Sequence, residues 1–321
     1  MGKCLVTRLN GIVANESLLH VGEMVVEVEG VNASSVLFNV LGGSVSCDRS
    51  FMLGTETVNA NEKRSLANNW YDIKSIDAGS YKFHFFDKYS ILGFIQKALT
   101  ASYDGLCFLK TAKEININTS NYFDLSNIAS SAKLTKLSLG GKVAGDISCL
   151  SDLTALVSLT LGGDIYGDIS SVRSKSSIVS LRIITSKITF GSDKLKEFSA
   201  LGNFIYEGRT AVDFGDIATL GEDFSFIDLD TMAKIKWTTR NSPAKIIGIN
   251  NSPMLDNIDK MLQDQARCET GFTSSSPSWM KNITAKGART SASDAAVQTL
   301  QSKGYTVSIT PAQDIISLTL K

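Results

Sequence analysis

A repeat of fixed length constrains this chain more than any other feature. Leu134-Thr135-Lys136-Leu137-Ser138-Leu139-Gly140-Gly141 returns as Leu156-Val157-Ser158-Leu159-Thr160-Leu161-Gly162-Gly163, and again as Ile178-Val179-Ser180-Leu181-Arg182-Ile183. A constant period of about 22 residues belongs to a solenoid, in which no repeat can bury its own apolar face and each stacks on its neighbours. A second motif keeps step with the first: Asp124-Leu125-Ser126, Asp146-Ile147-Ser148 and Asp168-Ile169-Ser170. Ile115 and Ile117 stand one full period before Leu137 and Leu139. Each x-Leu-x-Leu segment therefore reads as one short parallel strand. Ile115, Leu137, Leu159 and Leu181 form one inward column; Ile117, Leu139, Leu161 and Ile183 form the next. The rungs drift but continue through Phe204-Ile205-Tyr206, Phe224 to Leu229 and Ile246 to Asn250. That makes about seven coils, where about three suffice for stability.

The L-x-x-L-x-L core resembles the leucine-rich repeat. Val143-Ala144-Gly145-Asp146-Ile147-Ser148 and its counterpart at Ile165 to Ser170 resemble the G-x-I-P segment of plant-type repeats, with Ser in place of Pro. Gly141 or Lys142 stands where that family carries its Asn ladder. The resemblance implies a presenting scaffold, with Lys142, Tyr166 and Arg182 as candidate contacts for a partner.

Upstream the pattern changes. Residues 30–105 alternate with period two in Ser44 to Cys47, Tyr71 to Asp77 and Tyr81 to Phe86, between Gly, Asn and Asp turns. Short strands at this spacing predict a small β-sandwich or barrel. Its aromatic cluster (Trp70, Tyr71, Tyr81, Phe83, Phe85, Phe86, Tyr89, Phe94) fits either a sugar-binding groove or a sandwich core; alternate spacing favours the core. Residues 91–99 look helical. Residues 1–29 read as an arm, ending in the mixed strand Met24-Val25-Val26-Glu27-Val28-Glu29. Its apolar residues Leu5, Leu9, Ile12, Leu18 and Leu19 are the candidate docking segment.

The opening Met1-Gly2-Lys3-Cys4-Leu5-Val6-Thr7-Arg8-Leu9-Asn10-Gly11, with Leu18-Leu19 and Gly22-Glu23-Met24 after it, resembles the N-terminal leader shared by virion proteins of crAss-like bacteriophages of Bacteroidetes. That resemblance implies an attachment module joined to a variable distal part, as in fibre and appendage proteins. The partners it implies are other virion proteins (capsid, tail or fibre subunits), further copies of the same chain, and a host-surface glycan or protein. It places the mature chain in the virion, after synthesis in the host bacterial cytoplasm.

The candidate chemistry is sparse. The column Asp124, Asp146, Asp168 could bind calcium, but each Asp precedes an apolar residue and a Ser, where a carboxylate caps free backbone N–H groups. Without a cation or such donors, stacked acids repel at a coil spacing of about 5 Å. The Gly140-Gly141 and Gly162-Gly163 pairs are not followed by Lys-Ser/Thr, so they read as tight turns rather than a phosphate cradle. His20 and His84 have no metal-spaced partner. No nucleophile elbow, Walker loop or zinc motif occurs. Carboxylate pairs at Glu222-Asp223 and Asp228/Asp230 are the only opening for a glycosidase. The expectation is therefore a non-enzymatic chain with no catalytic residue, metal or cofactor.

Composition agrees with this. The 32 basic and 32 acidic residues cancel, which gives no electrostatic reason for nucleic acid or an anionic membrane as partner. No apolar run reaches the roughly 18 residues of a membrane span. The cysteines at 4, 47, 107, 149 and 268 are dispersed, as packed, reduced thiols are. No continuous apolar core marks a secretory signal, which ranks a bacterial cell-surface leucine-rich-repeat adhesin second. The expected layout is an attachment arm (1–29), an all-β module (30–105), a leucine-rich-repeat-like parallel solenoid (106–255) and a small α/β capping piece (256–321). In that last piece Asp256 to Arg267 is helical, and Ser291 opens, with Asp294, a capping box for a second helix stopped at Gly304.

Overall fold

The computed structural model describes residues 24–86, 91–104, 111–128, 133–185, 187–191, 194–208, 211–219, 226–229, 233–238, 248–268 and 281–311. The arm residues Leu5, Leu9, Ile12, Leu18 and Leu19 lie outside this set, as do His20, Tyr89, Glu222, Asp223 and Asp230. The chain divides into two compact units: Met1–Ser174 with Lys187–Thr189, and Lys175–Ser186 with Phe190–Lys321. That division coincides with none of the boundaries expected at 29, 105 and 255.

The first unit begins as a β-sandwich. One sheet is antiparallel throughout, in the order Ala101–Asp104, Met24–Val31, Gly79–Phe86, Ser44–Cys47, Arg64–Ser65. The other runs Glu56–Val58, Phe51–Leu53, Trp70–Ser75, Val36–Leu41, Gly93–Gln96, also antiparallel. Alternation along Gly79–Phe86 turns Tyr81, Phe83 and Phe85 inward and leaves Lys82 exposed. Phe38, Phe51 and Phe94 of the facing sheet meet Phe83 and Phe85 edge-on, ring centroids 5.4 to 5.9 Å apart, the geometry that aromatic quadrupoles prefer. These rings are the core, so Tyr81, Phe83, Phe85 and Phe94 of the aromatic cluster are packing. Trp70 is not: it is 44% exposed.

Two expectations are corrected here. Strand Met24–Val31 is not the end of an arm. It lies inside the first sheet, with Met24, Val26 and Val28 fully buried. Residues 91–99 are not helical either. Gly93–Gln96 is a strand, because both of its edges find backbone partners and tertiary pairing overrides a weak local preference.

Those two edges differ. Gly93–Gln96 pairs antiparallel with Val36–Leu41 and parallel with Glu114–Asp124, Phe94 opposite Ile115. The sandwich sheet thus runs directly into the coils. Ile115 lies opposite Leu137, and Leu137 opposite Leu159, each one period on. Ile115, Ile117, Leu137, Leu139, Leu159 and Leu161 are at most 2% exposed. A second parallel column follows the glycine turn, pairing Ala144 with Asp164 and Gly167 with Ile188. The turn itself needs glycine. Gly141 has φ +69°, and a Cβ there would lie 2.0 Å from the Thr119 carbonyl oxygen. At Gly163 (φ +76°) it would lie 2.5 Å from the Val143 carbonyl oxygen. One coil's backbone presses on the next at this corner, which no side chain permits.

The second unit repeats the plan. Its main column is Ser180–Ile183, Asn203–Tyr206, Phe226–Leu229, Gly248–Asn250, Asn282–Lys286 and Thr306–Thr310, all parallel. Leu181 and Ile183 are buried in it. Val212–Asp216, Ala233–Lys236 and Met254–Leu255 form its second column. Phe190, Phe204, Tyr206 and Phe214 fill its core edge-on at 5.1 to 6.2 Å.

The expected separate capping piece is a continuation of the same sheet. Ile283 pairs with Ile249 across a much lengthened coil, and Val307 with Ile283 across the next. Helix α1 (Ile258–Ala266) lies within the lengthened coil and α2 (Asp294–Ser302) within the next, which is close to the ordinary period. α1 buries Ile258, Met261 and Leu262. α2 ends as expected, with Gly304 at φ +85°. Its N–H donates to the Gln301 carbonyl at 2.9 Å and that of Tyr305 to the Leu300 carbonyl at 3.1 Å, the Schellman arrangement. Its start differs from the expected box at Ser291. Thr290 caps a short 3-10 turn by accepting from the Ala292 N–H at 3.2 Å, and Ser293 donates to Asp259 of α1.

On the buried face of α1, Asp264 accepts from the Trp237 indole at 2.9 Å and from Lys260 at 2.9 Å, and pairs with Arg267. Burial alone pushes this carboxyl up, but the Trp237 and Lys260 bonds and the nearby cations outweigh it and hold it below the usual range. Its stabilising effect is therefore full above the unfolded-state pKa and lost as pH falls through the lower folded value.

Two outcomes follow for urea unfolding. Leu159→Ala, at a fully buried rung, should cost about 3 kcal/mol, whereas Val157→Ala, at a position 41% exposed, should change stability by less than about 0.5 kcal/mol. Asp264→Ala leaves the Trp237 indole without its acceptor and should cost about 2 kcal/mol at neutral pH, with the deficit shrinking as the parent is acidified. A deficit unchanged at low pH would show that the charge is not what Asp264 contributes.

Candidate interaction surface

The three predicted turn acids are spent on the backbone. Asp124, Asp146 and Asp168 each accept through Oδ1 from the N–H two residues on, at Ser126 (2.9 Å), Ser148 (2.8 Å) and Ser170 (2.7 Å). Each carboxylate thereby satisfies a donor at the start of a 3-10 turn that has no partner within the turn. In the second unit Asp216 does the same for Ala218 at 3.0 Å, a cap that the drifting period concealed. Cys149 lies within the second of these turns; burial, with Asp124 and Asp146 adding, pushes its thiol up to about 12. It is a poor nucleophile on that account.

With inward positions given to packing and turns to capping, recognition is left to the outward residues of the strands. In the first unit two rows cross the sheet without a break. One runs Trp70, Leu41, Gly93, Glu114, Lys136, Ser158; the other runs Asp72, Asn39, Ile95, Asn116, Ser138, Thr160. Charges on this face pair among themselves, Lys136 with Glu114 at 3.6 Å and Lys74 with Asp72 at 3.8 Å. Near its far edge an open cleft of about 430 Å³ is lined by Met52, Thr57, Lys74 and Ile76 among others.

The three contact candidates named from the repeats divide between the units. In the first, Lys142 is exposed just past the Gly141 turn, and Tyr166 (50% exposed) stands on the second column. Arg182 is an outward strand residue of the second unit, where it pairs with Glu207 at 2.7 Å. Two strands further along the same face, Asp228 accepts from the Asn251 amide. Burial raises the Asp228 carboxyl, with the Glu207 charge adding to it and the Asn251 bond and Arg182 opposing. Glu207 is thus a carboxylate whose charge acts on Asp228. Spacing along the chain could not show this, because the pair is made across strands. Among the described residues no group of three or more His, Cys, Asp or Glu is placed to hold a metal ion, and no helix is long and apolar enough to cross a membrane.

No protein-family model matches the chain, and no curated protein matches it. Among solved structures it is similar to the crystal structure of an internalin from Listeria monocytogenes. That likeness spans 73% of this chain and 85% of the other, at 14% identity and a TM-score of 0.41. It assigns no family.

A carboxyl whose folded pKa is raised favours the fold most when protonated, so its contribution is full below the unfolded pKa and lost as pH rises through the folded value. Asp228→Asn mimics the protonated form and still accepts from Asn251. Its Tm at pH 7 should exceed the parent's, and the difference should vanish near pH 3. A lower Tm at pH 7 would mean that the charge itself is used in the fold.

Proposed function

We propose that this chain is a structural subunit of a tailed-phage virion, a head or tail fibre or other appendage component, acting by binding rather than catalysis. The leader motif of residues 1–24 suggests the particle. The observation that most supports a positioning role is strand Gly93–Gln96, antiparallel to the sandwich on one edge and parallel to the first coil on the other. A shared strand transmits orientation where a flexible linker would not. In this reading the arm docks on capsid, tail or fibre proteins, copies of the chain assemble together, and the coils, leucine-rich-repeat-like in kind, meet a partner or a host receptor. The x-Leu-x-Leu rungs with polar outward rows equally suit a second reading, a bacterial cell-surface leucine-rich-repeat adhesin.

Peptide mass spectrometry on gradient-purified particles separates the two. The chain should be a stoichiometric particle component; its absence there, with recovery in the host envelope fraction, favours the adhesin. Deleting residues 1–22 should abolish incorporation and leave the fold intact. The cut stops before Met24, because Met24 pairs with Phe85 inside the sheet. Undiminished incorporation would remove the docking role from the arm.

A further inference from the structure

From the geometry around Trp70 we infer that the outward sheet face of the first unit binds an uncharged oligosaccharide, with the Trp70 ring as its platform. This rests on the binding role proposed above and names the class of partner. The key observation is a glycine. Gly93 opens a strand and is paired on both sides, where glycine weakens the sheet, yet its φ is not in the left-handed region. The backbone does not require it. What requires it is Trp70: a Cβ on Gly93 would lie 2.4 Å from Cη2 and 2.8 Å from Cζ2 of the indole.

Trp70 is opposite Leu41, and Leu41 is opposite Gly93. The indole tip therefore reaches two strand spacings, about 9.5 Å. A side chain standing up from the sheet would not span that distance, so the ring lies across the Val36–Leu41 strand. It remains 44% exposed while Gly93 beneath its tip is buried. An exposed tryptophan held flat is a costly arrangement for a surface with no partner, and tryptophan is among the commonest anchors of binding energy.

The neighbouring row decides the chemistry. Asp72 and Asn39, joined by a side-chain hydrogen bond, stand beside the platform, and beyond Ile95 the residues Asn116 and Ser138 extend the row over the first coils. These groups offer planar acceptors and donors at the regular spacing of strands. The face has Asp72 with Lys74 and Glu114 with Lys136, so its charges cancel. A polyanion gains nothing from such a face. A neutral polyol fits it, with C–H groups on the ring and hydroxyls on the amide and carboxylate row.

Isothermal titration of the full-length chain with cellohexaose, xylohexaose, mannohexaose, maltohexaose and laminarihexaose tests this. At least one should bind saturably. Trp70→Ala should weaken that binding about tenfold or more, and Trp70→Phe should retain most of it. Gly93→Ala should weaken it without touching the sugar, and Asn39→Ala should weaken it from the second row. Unchanged circular dichroism in Trp70→Ala separates lost binding from lost fold. Silence from all five sugars, or an affinity unmoved by Trp70→Ala, overturns the inference; so does binding of heparin or of a host surface protein at Trp70 with the sugars silent. A chain present in particles that ignores the sugars sinks this inference alone. A chain absent from particles that binds them sinks the virion reading alone.

Discussion

A stack of parallel coils has an unavoidable weakness: its end strand carries a row of backbone N–H and C=O groups with nothing to bond. In the first unit the strand Gly93–Gln96 removes that weakness at the N-terminal end. Its parallel edge satisfies Glu114–Asn116, and its other edge is closed by Val36–Leu41. The side chains reinforce the join. Phe94 packs at 5.6 Å on Phe85 of the sandwich and at 6.0 Å on Tyr103, which in turn packs at 5.6 Å on Phe123 of the first coil. One aromatic chain thus runs from the sandwich core into the solenoid core. Neither part has a complete core or a closed edge without the other.

This junction also explains where sequence reading succeeds and where it stops. Strict spacing makes Ile115, Leu137 and Leu159 legible as one column, because identical coils demand identical registers. Phe94 belongs to the same ladder but stands slightly less than one period before Ile115 and follows a glycine, so its stretch loses the x-Leu-x-Leu signature and takes on a helical look. At the other end, the long interval from Ile249 to Ile283 breaks the period. A helix occupies the returning side of that coil while the strand keeps its register, so the eye sees a new domain where the backbone continues the old one. Period reports the length of a coil; hydrogen-bond register does not depend on it.

The polar residues divide in a similar way. The Asp columns were legible as caps because capping is local: a carboxylate and an N–H two residues on suffice. Asp264 was not, since its partners Trp237, Lys260 and Arg267 come from two stretches of chain. Trp70 was hidden for a different reason. It opens an aromatic-rich stretch in which Tyr81, Phe83 and Phe85 are core, and only the pairing through Leu41 to Gly93 shows that it faces the other way.

Stability and recognition occupy opposite faces of the same strands. Inward positions are mostly aliphatic or aromatic, with a few hydrogen-bonded polar residues such as Gln96 and Thr119, and tolerate little change. Outward positions in the first unit include Asn, Ser, Thr and paired charges beside Trp70, Leu41 and Ile95, and packing does not dictate them. A departure from good strand chemistry on that outward face therefore carries information that the same departure in a loop would not. Gly93 is such a departure: it gives up intrinsic strand stability, and what it admits is an aromatic ring that the core does not use. Because that ring rests on a strand bonded along both edges, a ligand meeting it has little order left to impose, and a modest contact area keeps more of its binding energy than it would on a mobile loop.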